Sequence, residues 1–145
     1  MKTAVLISFG LAATWLALPV SAFTLIKADE ARLPPSSGAL VKRGIARGPG
    51  VKLISPESAT VTSPFELKIA FEPRGGAQID PAATKVVYLK ATPVDLLPRL
   101  KVGLSDKGIE LAGAETPIGE HQIQVTVQDS EGRVTNSIFV LNVVK

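Results

Sequence analysis

The residue types able to do chemistry are few. His121 is the sole imidazole of the 145-residue chain and there is no cysteine. A thiolate zinc site, an iron–sulfur cluster, a disulfide framework and a cysteine nucleophile are therefore excluded. His121 stands two residues after Gly119 at the start of an alternating run. A general base there needs a nucleophile and an orienting group beside it. Glu120 and the serines carry no spacing that selects them, so His121 reads as a structural or surface residue. A glycosidase pair could be drawn from Glu72, Asp80, Asp95 and Asp106, but no feature favours any two of them. The inventory points to a protein that is not an enzyme and needs no cofactor.

Calcium is the best case for a metal. Asp80, Asp95, Asp129 and Glu131 all fall in or beside expected connections, where hard oxygen ligands from loops can converge. The D-x-[DN]-x-[DN]-G spacing is absent, and each carboxylate also suits a turn or cap. Arg74-Gly75-Gly76 leaves backbone amides open to an anion, but no phosphate-loop pattern surrounds it and a plain connection explains it.

The elements that must position these groups begin after an export signal. Residues 1–22 carry one positive charge at Lys2, an apolar run from Ala4 to Leu18, the breaker Pro19, and small side chains before an expected cut at Phe23. The run is short for a membrane span and ends in a cleavage-like site. The expectation is a cleaved signal peptide and a periplasmic or secreted protein with no transmembrane span in the mature chain. With no cysteine to carry a lipid, it is not expected to be a lipoprotein. Beyond residue 22 the chain has no Met, Trp or Cys, and its aromatic residues are Phe23, Phe65, Phe71, Tyr88 and Phe139. Platforms that stack bases or sugars use several exposed rings, so nucleic acid is not an expected partner.

Residues 23–49 show no sustained period and contain the breaker clusters Pro34-Pro35-Ser36-Ser37-Gly38 and Gly48-Pro49-Gly50. They hold five basic side chains against two acidic ones, whereas residues 50–145 hold ten basic and eleven acidic. The net charge of +3 thus sits in this segment. It reads as a flexible basic arm in which Lys42, Arg43 and Arg47 are the candidate contacts for an anionic envelope surface or acidic partner.

From Val51 onward, short alternating runs separated by turn signals describe antiparallel β structure. Val51–Ile54 is a short strand stopped by Ser55-Pro56. In Phe65–Glu72, Phe65, Leu67, Ile69 and Phe71 share one side and Glu66, Lys68 and Glu72 the other, giving one buried and one wet face. Lys85–Lys90 is a third strand. Leu100–Leu104 and Ile109–Leu111 are weaker strands around a Ser105–Gly108 turn. His121–Val127 and Val134–Val144 are joined by a hairpin loop, Asp129–Arg133, in which Gly132 supplies positive φ. In Val134–Val144 both faces are largely apolar, so that strand is expected to be covered on both sides. The one helical candidate is Val94–Leu97, limited by Pro98 to about one turn. About seven short strands in the last hundred residues predict an all-β sandwich over residues 50–145.

The order of several turn signals resembles the immunoglobulin-like modules of bacterial exported proteins. The residues that carry it are Ser55-Pro56, Ile79-Asp80-Pro81-Ala82, Pro117 with Gly119-Glu120-His121, and Asp129-Ser130 with Gly132-Arg133. The resemblance implies an immunoglobulin-like antiparallel sandwich and leaves activity open, because this architecture hosts many functions. It departs from antibody domains in lacking a Trp and a disulfide, and from periplasmic copper-binding sandwiches in lacking a terminus with His and Met. The function these readings favour is an exported, non-enzymatic binding or structural module that recognises a protein or cell-envelope component through sandwich loops or a sheet edge. The alternative is a periplasmic small-ligand or calcium-binding carrier.

Overall fold

The computed structural model describes residues 23–37 and 47–145. The strands are β1 (Phe23–Thr24), β2 (Gly50–Ser55), β3 (Thr60–Thr62), β4 (Phe65–Glu72), β5 (Ile79–Tyr88), β6 (Val94–Asp95), β7 (Leu104–Ser105), β8 (Gly108–Glu115), β9 (Gly119–Asp129) and β10 (Val134–Val144). Two short helices complete the set, α1 (Ala28–Ala31) and α2 (Leu97–Leu100), the second running into a 3-10 turn.

The first sheet has the order β1-β8-β4-β2 with β7 also on β8, and the second has the order β3-β10-β9-β5-β6. The two sheets, with β2-β4-β8 and β10-β9-β5 as their central strands, form an all-β sandwich. Alternation along each strand builds the core. Phe65, Leu67, Ile69 and Phe71 of β4 meet Ile123, Val125 and Val127 of β9 and Leu141 and Val143 of β10, all buried. A void of about 10 Å³ inside the core is wholly apolar, lined by Leu67, Ile69, Val86, Ile123 and their neighbours. That is about the space of one water, with no polar group to hold it.

The hairpins form where turn residues allow. Gly108 has φ of 149°, and a Cβ there would lie 2.0 Å from the Ile69 carbonyl oxygen, so glycine lets β8 press against β4. At the β9–β10 loop, Gly132 takes φ of 78°. The Asp129 carboxylate accepts hydrogen bonds from the amides of Glu131 and Arg133 at 3.0 and 2.9 Å.

Residues 23–37 depart from the expected free arm: they are packed. Phe23 and Thr24 run parallel to Ala114 and Glu115 of β8, and Leu25 donates its amide to the Glu115 carbonyl at 2.9 Å. Leu25 and Ile26 are 0% and 1% exposed, inside the core beside Leu96 and Leu100. The chain then turns through α1 and crosses to the second sheet. There Ala91 donates to the Pro34 carbonyl at 2.8 Å and Pro35 bridges to Lys90. The physical reason lies in Phe23-Thr24-Leu25-Ile26, an apolar run too short to show a period but long enough to fill one end of the sandwich. The hydrophobic core thus begins at Leu25, well before residue 50. Residues 1–22 and 38–46 lie outside the described residues, and the signal peptide, Lys42 and Arg43 lie there.

Other differences are local. Val94–Asp95 is a strand on β5, and the helix is Leu97–Leu100, with Pro98 in its first turn, where a missing amide costs nothing. Leu100–Leu104 is helical until the two-residue β7. β5 starts six residues earlier than its apolar run, at Ile79.

Truncating the buried end of the packed segment tests its share in the fold. Leu25→Ala is expected to destabilise the protein by about 2–4 kcal/mol, read as a lower urea midpoint with an unchanged slope. A change within 0.5 kcal/mol would show that the end closes without Leu25.

Candidate functional site

The groups that could do chemistry are built into the frame. His121 lies on the inward side of β9 and is 2% exposed. Its Nε2 is 2.7 Å from the Pro117 carbonyl oxygen, which can only accept, so Nε2 carries the proton. Nδ1 is then an acceptor and takes the proton of the Tyr88 hydroxyl at 2.9 Å. The imidazole is neutral with both nitrogens satisfied. Burial pushes its pKa below the ordinary 6.5 against the raising effect of the Pro117 bond, and the positive charge of Lys90 adds to the lowering. Burial, and then the charge of Glu30, raise the Tyr88 phenol.

Lys90 and Arg99 connect this pair to the N-terminal segment. The Lys90 ammonium lies 5.2 Å from the Tyr88 ring centroid and donates to the Ala31 carbonyl at 3.0 Å. Arg99 grips Glu30 with two guanidinium nitrogens, one at 2.7 Å, and donates to the Leu25 carbonyl at 2.9 Å. The Arg99 hydrogen bond holds the Glu30 carboxyl down to about 2 despite burial, helped by the Lys27 amide. These are strong charge-assisted contacts in a largely buried setting.

The four carboxylates weighed for calcium do not converge. Asp80 accepts from the Ala82 amide and Asp95 from the Leu97 amide, each at 2.9 Å. Asp80 opposes Gln128, while Asp95 opposes Val87, which is level with Gln124, four positions along β9 and so about 14 Å away. Asp129 and Glu131 come together, but around Arg133, which lies 2.8 and 2.9 Å from their oxygens. Burial raises the Asp129 carboxyl, and the amide and guanidinium of Arg133 with the Glu131 amide outweigh that and leave it below its usual value. Among the described residues no three His, Asp or Glu side chains group to hold a metal ion. Of the basic arm candidates, Arg47 is exposed.

The sandwich presents two unlike outer faces. On the first sheet, Lys52, Glu66, Lys68, Glu72 and Glu110 point outward, zipped by Lys52–Glu72 at 2.7 Å and Lys68–Glu110 at 3.4 Å. On the second sheet, the outward row of β9 is Glu120, Gln122, Gln124, Thr126 and Gln128. It lies against Asn142, Val140, Ile138, Asn136 and Val134 of β10. Val134 and Val140 are 48% and 42% exposed. Glu120 is the only charge on these two central strands' outward rows. The β10 strand, expected to be covered on both faces, is open on this one. At its β5 side the face borders a shallow groove lined by Lys85, Val87, Pro93, Asp95 and Leu97.

This surface was half legible in the sequence. The Gln122, Gln124, Thr126, Gln128 alternation and the two apolar faces of Val134–Val144 were visible there. The register that sets Gln124 opposite Ile138 was not.

Two buried ionisable groups set separate pH windows. His121 binds its proton less readily folded than unfolded, so its contribution is full above about pH 6.5 and lost as pH falls below that. His121→Gln is expected to lower the neutral melting temperature and flatten the slope between pH 7 and 5; an unchanged slope would assign it to other groups. Glu30 contributes above about pH 4.5 and loses that contribution as pH falls toward 2. Glu30→Gln should cost about 1–2 kcal/mol at pH 7 and remove that acid limb, measured by urea unfolding at each pH. No protein-family model matches the chain, nor does any curated protein or any solved structure.

Proposed function

We propose that this chain is an exported, non-enzymatic binding module that recognises a protein or cell-envelope partner through the outer face of its second sheet. The observation that carries the reading is the contrast between the two outer faces. A chain with 20% charged residues leaves the centre of one sheet face with amides, hydroxyls and exposed aliphatic side chains. Depletion of charge at the centre of a patch is the compositional mark of interfaces. A purely solvating face has no need to expose Val134 and Val140.

Sheet edges support recognition less well than this face. β8 is flanked by β1 and β7, β10 by β3, and β5 by β6. Pro81 and the register shift between Asp80 and Lys85 blunt the rest of β5. β2 is an open edge strand, and β10 has no strand partner on its β3 side from Val134 to Leu141. The calcium-carrier reading draws no support from carboxylates already engaged by Arg133 and turn amides. Export rests on the signal-like residues 1–22. A cut before Phe23 would leave β1 and the buried Leu25 whole.

Capture from envelope extract tests the proposal. Protein immobilised through its C-terminus is expected to retain a defined partner that Gln124→Lys releases and Lys68→Glu, on the charged face, does not. Equal capture by the wild type and Gln124→Lys would remove this face from the reading.

A further inference from the structure

We infer that the occupant of the second sheet's outer face is a second copy of the same chain, packed face to face about a two-fold axis. The inference rests on the reading of that face as a binding surface and names its partner. Two properties of the face point to self-association.

The first is area. The strands β3, β10, β9 and β5, spaced about 4.8 Å apart and rising about 3.4 Å per residue over their own lengths, present roughly 570 Å² on one copy. A stable specific interface buries about 800 Å² per partner. The face supplies the larger part of that, and the bordering Lys85–Leu97 groove extends it.

The second is self-complementarity. A two-fold interface places each central residue near its own counterpart, so any charge at the centre would meet itself. The centre of this face is the cross-strand pair Gln124 and Ile138. Gln124 has both a donor and an acceptor and can pair with its own copy. Ile138 loses water on both copies without leaving a polar group behind.

The test is the oligomeric state of the full chain, expressed with residues 1–22 in place and purified as the cell leaves it. Sedimentation velocity is expected to show a concentration-dependent dimer. Ile138→Lys and Ile138→Glu are each expected to weaken it tenfold or more, while an equimolar mixture of the two associates again. Lys68→Glu on the charged face should leave the dimer intact. Far-UV circular dichroism and melting of each variant separate loss of association from loss of fold, with Gln124→Lys as the second, milder disruption. A wild type that stays monomeric to about 1 mM, or a dimer indifferent to both Ile138 and Gln124 substitutions, overturns the inference. A monomer that still captures an envelope partner lost on Gln124→Lys overturns only the second copy, and leaves the binding-module reading standing.

Discussion

The end of the sandwich where Leu96 and Leu100 lie must be sealed, because two sheets that share one core cannot leave its rim open to water. Leu25 and Ile26 close it, and Arg99 holds them there through the Leu25 carbonyl and the Glu30 carboxylate. Removing a carboxylate and a guanidinium from water is costly, and the attraction between them offsets that cost only when geometry is good and other hydrogen bonds satisfy both groups. Both conditions hold: Arg99 makes a two-nitrogen contact with Glu30, which also accepts from the Lys27 amide. The buried Tyr88–His121 pair stands next in line, since Lys90 reaches over the Tyr88 ring to the Ala31 carbonyl. One end of the molecule is thus a single network joining the N-terminal segment to both sheets.

With the core closed in this way, the two outer faces are free to differ, and they do. Ion pairs between exposed side chains add little stability, so the Lys52–Glu72 and Lys68–Glu110 pairs chiefly keep the first face wet. The second face has no such pairing at its centre. There the Thr126 hydroxyl donates to the Asn136 side-chain oxygen at 2.6 Å. Its aliphatic side chains gain nothing from exposure. A flat, neutral sheet surface is also a hazard for unspecific association, and β10 beside it leaves Val134–Leu141 without a strand partner on its outer edge.

The sequence reveals most where period 2 runs longest. β4 coincides with its expected span, and β9, β10 and the Asp129–Arg133 hairpin follow from alternation and a single positive-φ glycine. It reveals least where an element owes its existence to tertiary contact. β1 and β6 are two residues long, and no pattern of two residues distinguishes strand from loop. They form because β8 and β5 offer edges to pair with. Pro98 was read as a stop and is a helix start, since a proline means opposite things on either side of the first turn. The outer face of the second sheet was visible as two half-patterns, and only the register of β9 on β10 makes them one surface.

Several of the reactive side chains among the described residues are committed to the fold. A catalytic group needs an open valence facing a cavity: a lone pair, a proton or a charge not already committed. His121 has given one nitrogen to Pro117 and the other to Tyr88. Glu30 is held by Arg99, and Asp129 by Arg133 and two backbone amides. These commitments are what keep buried polar groups tolerable inside a small sandwich, and freeing any of them for chemistry would remove a support of the fold.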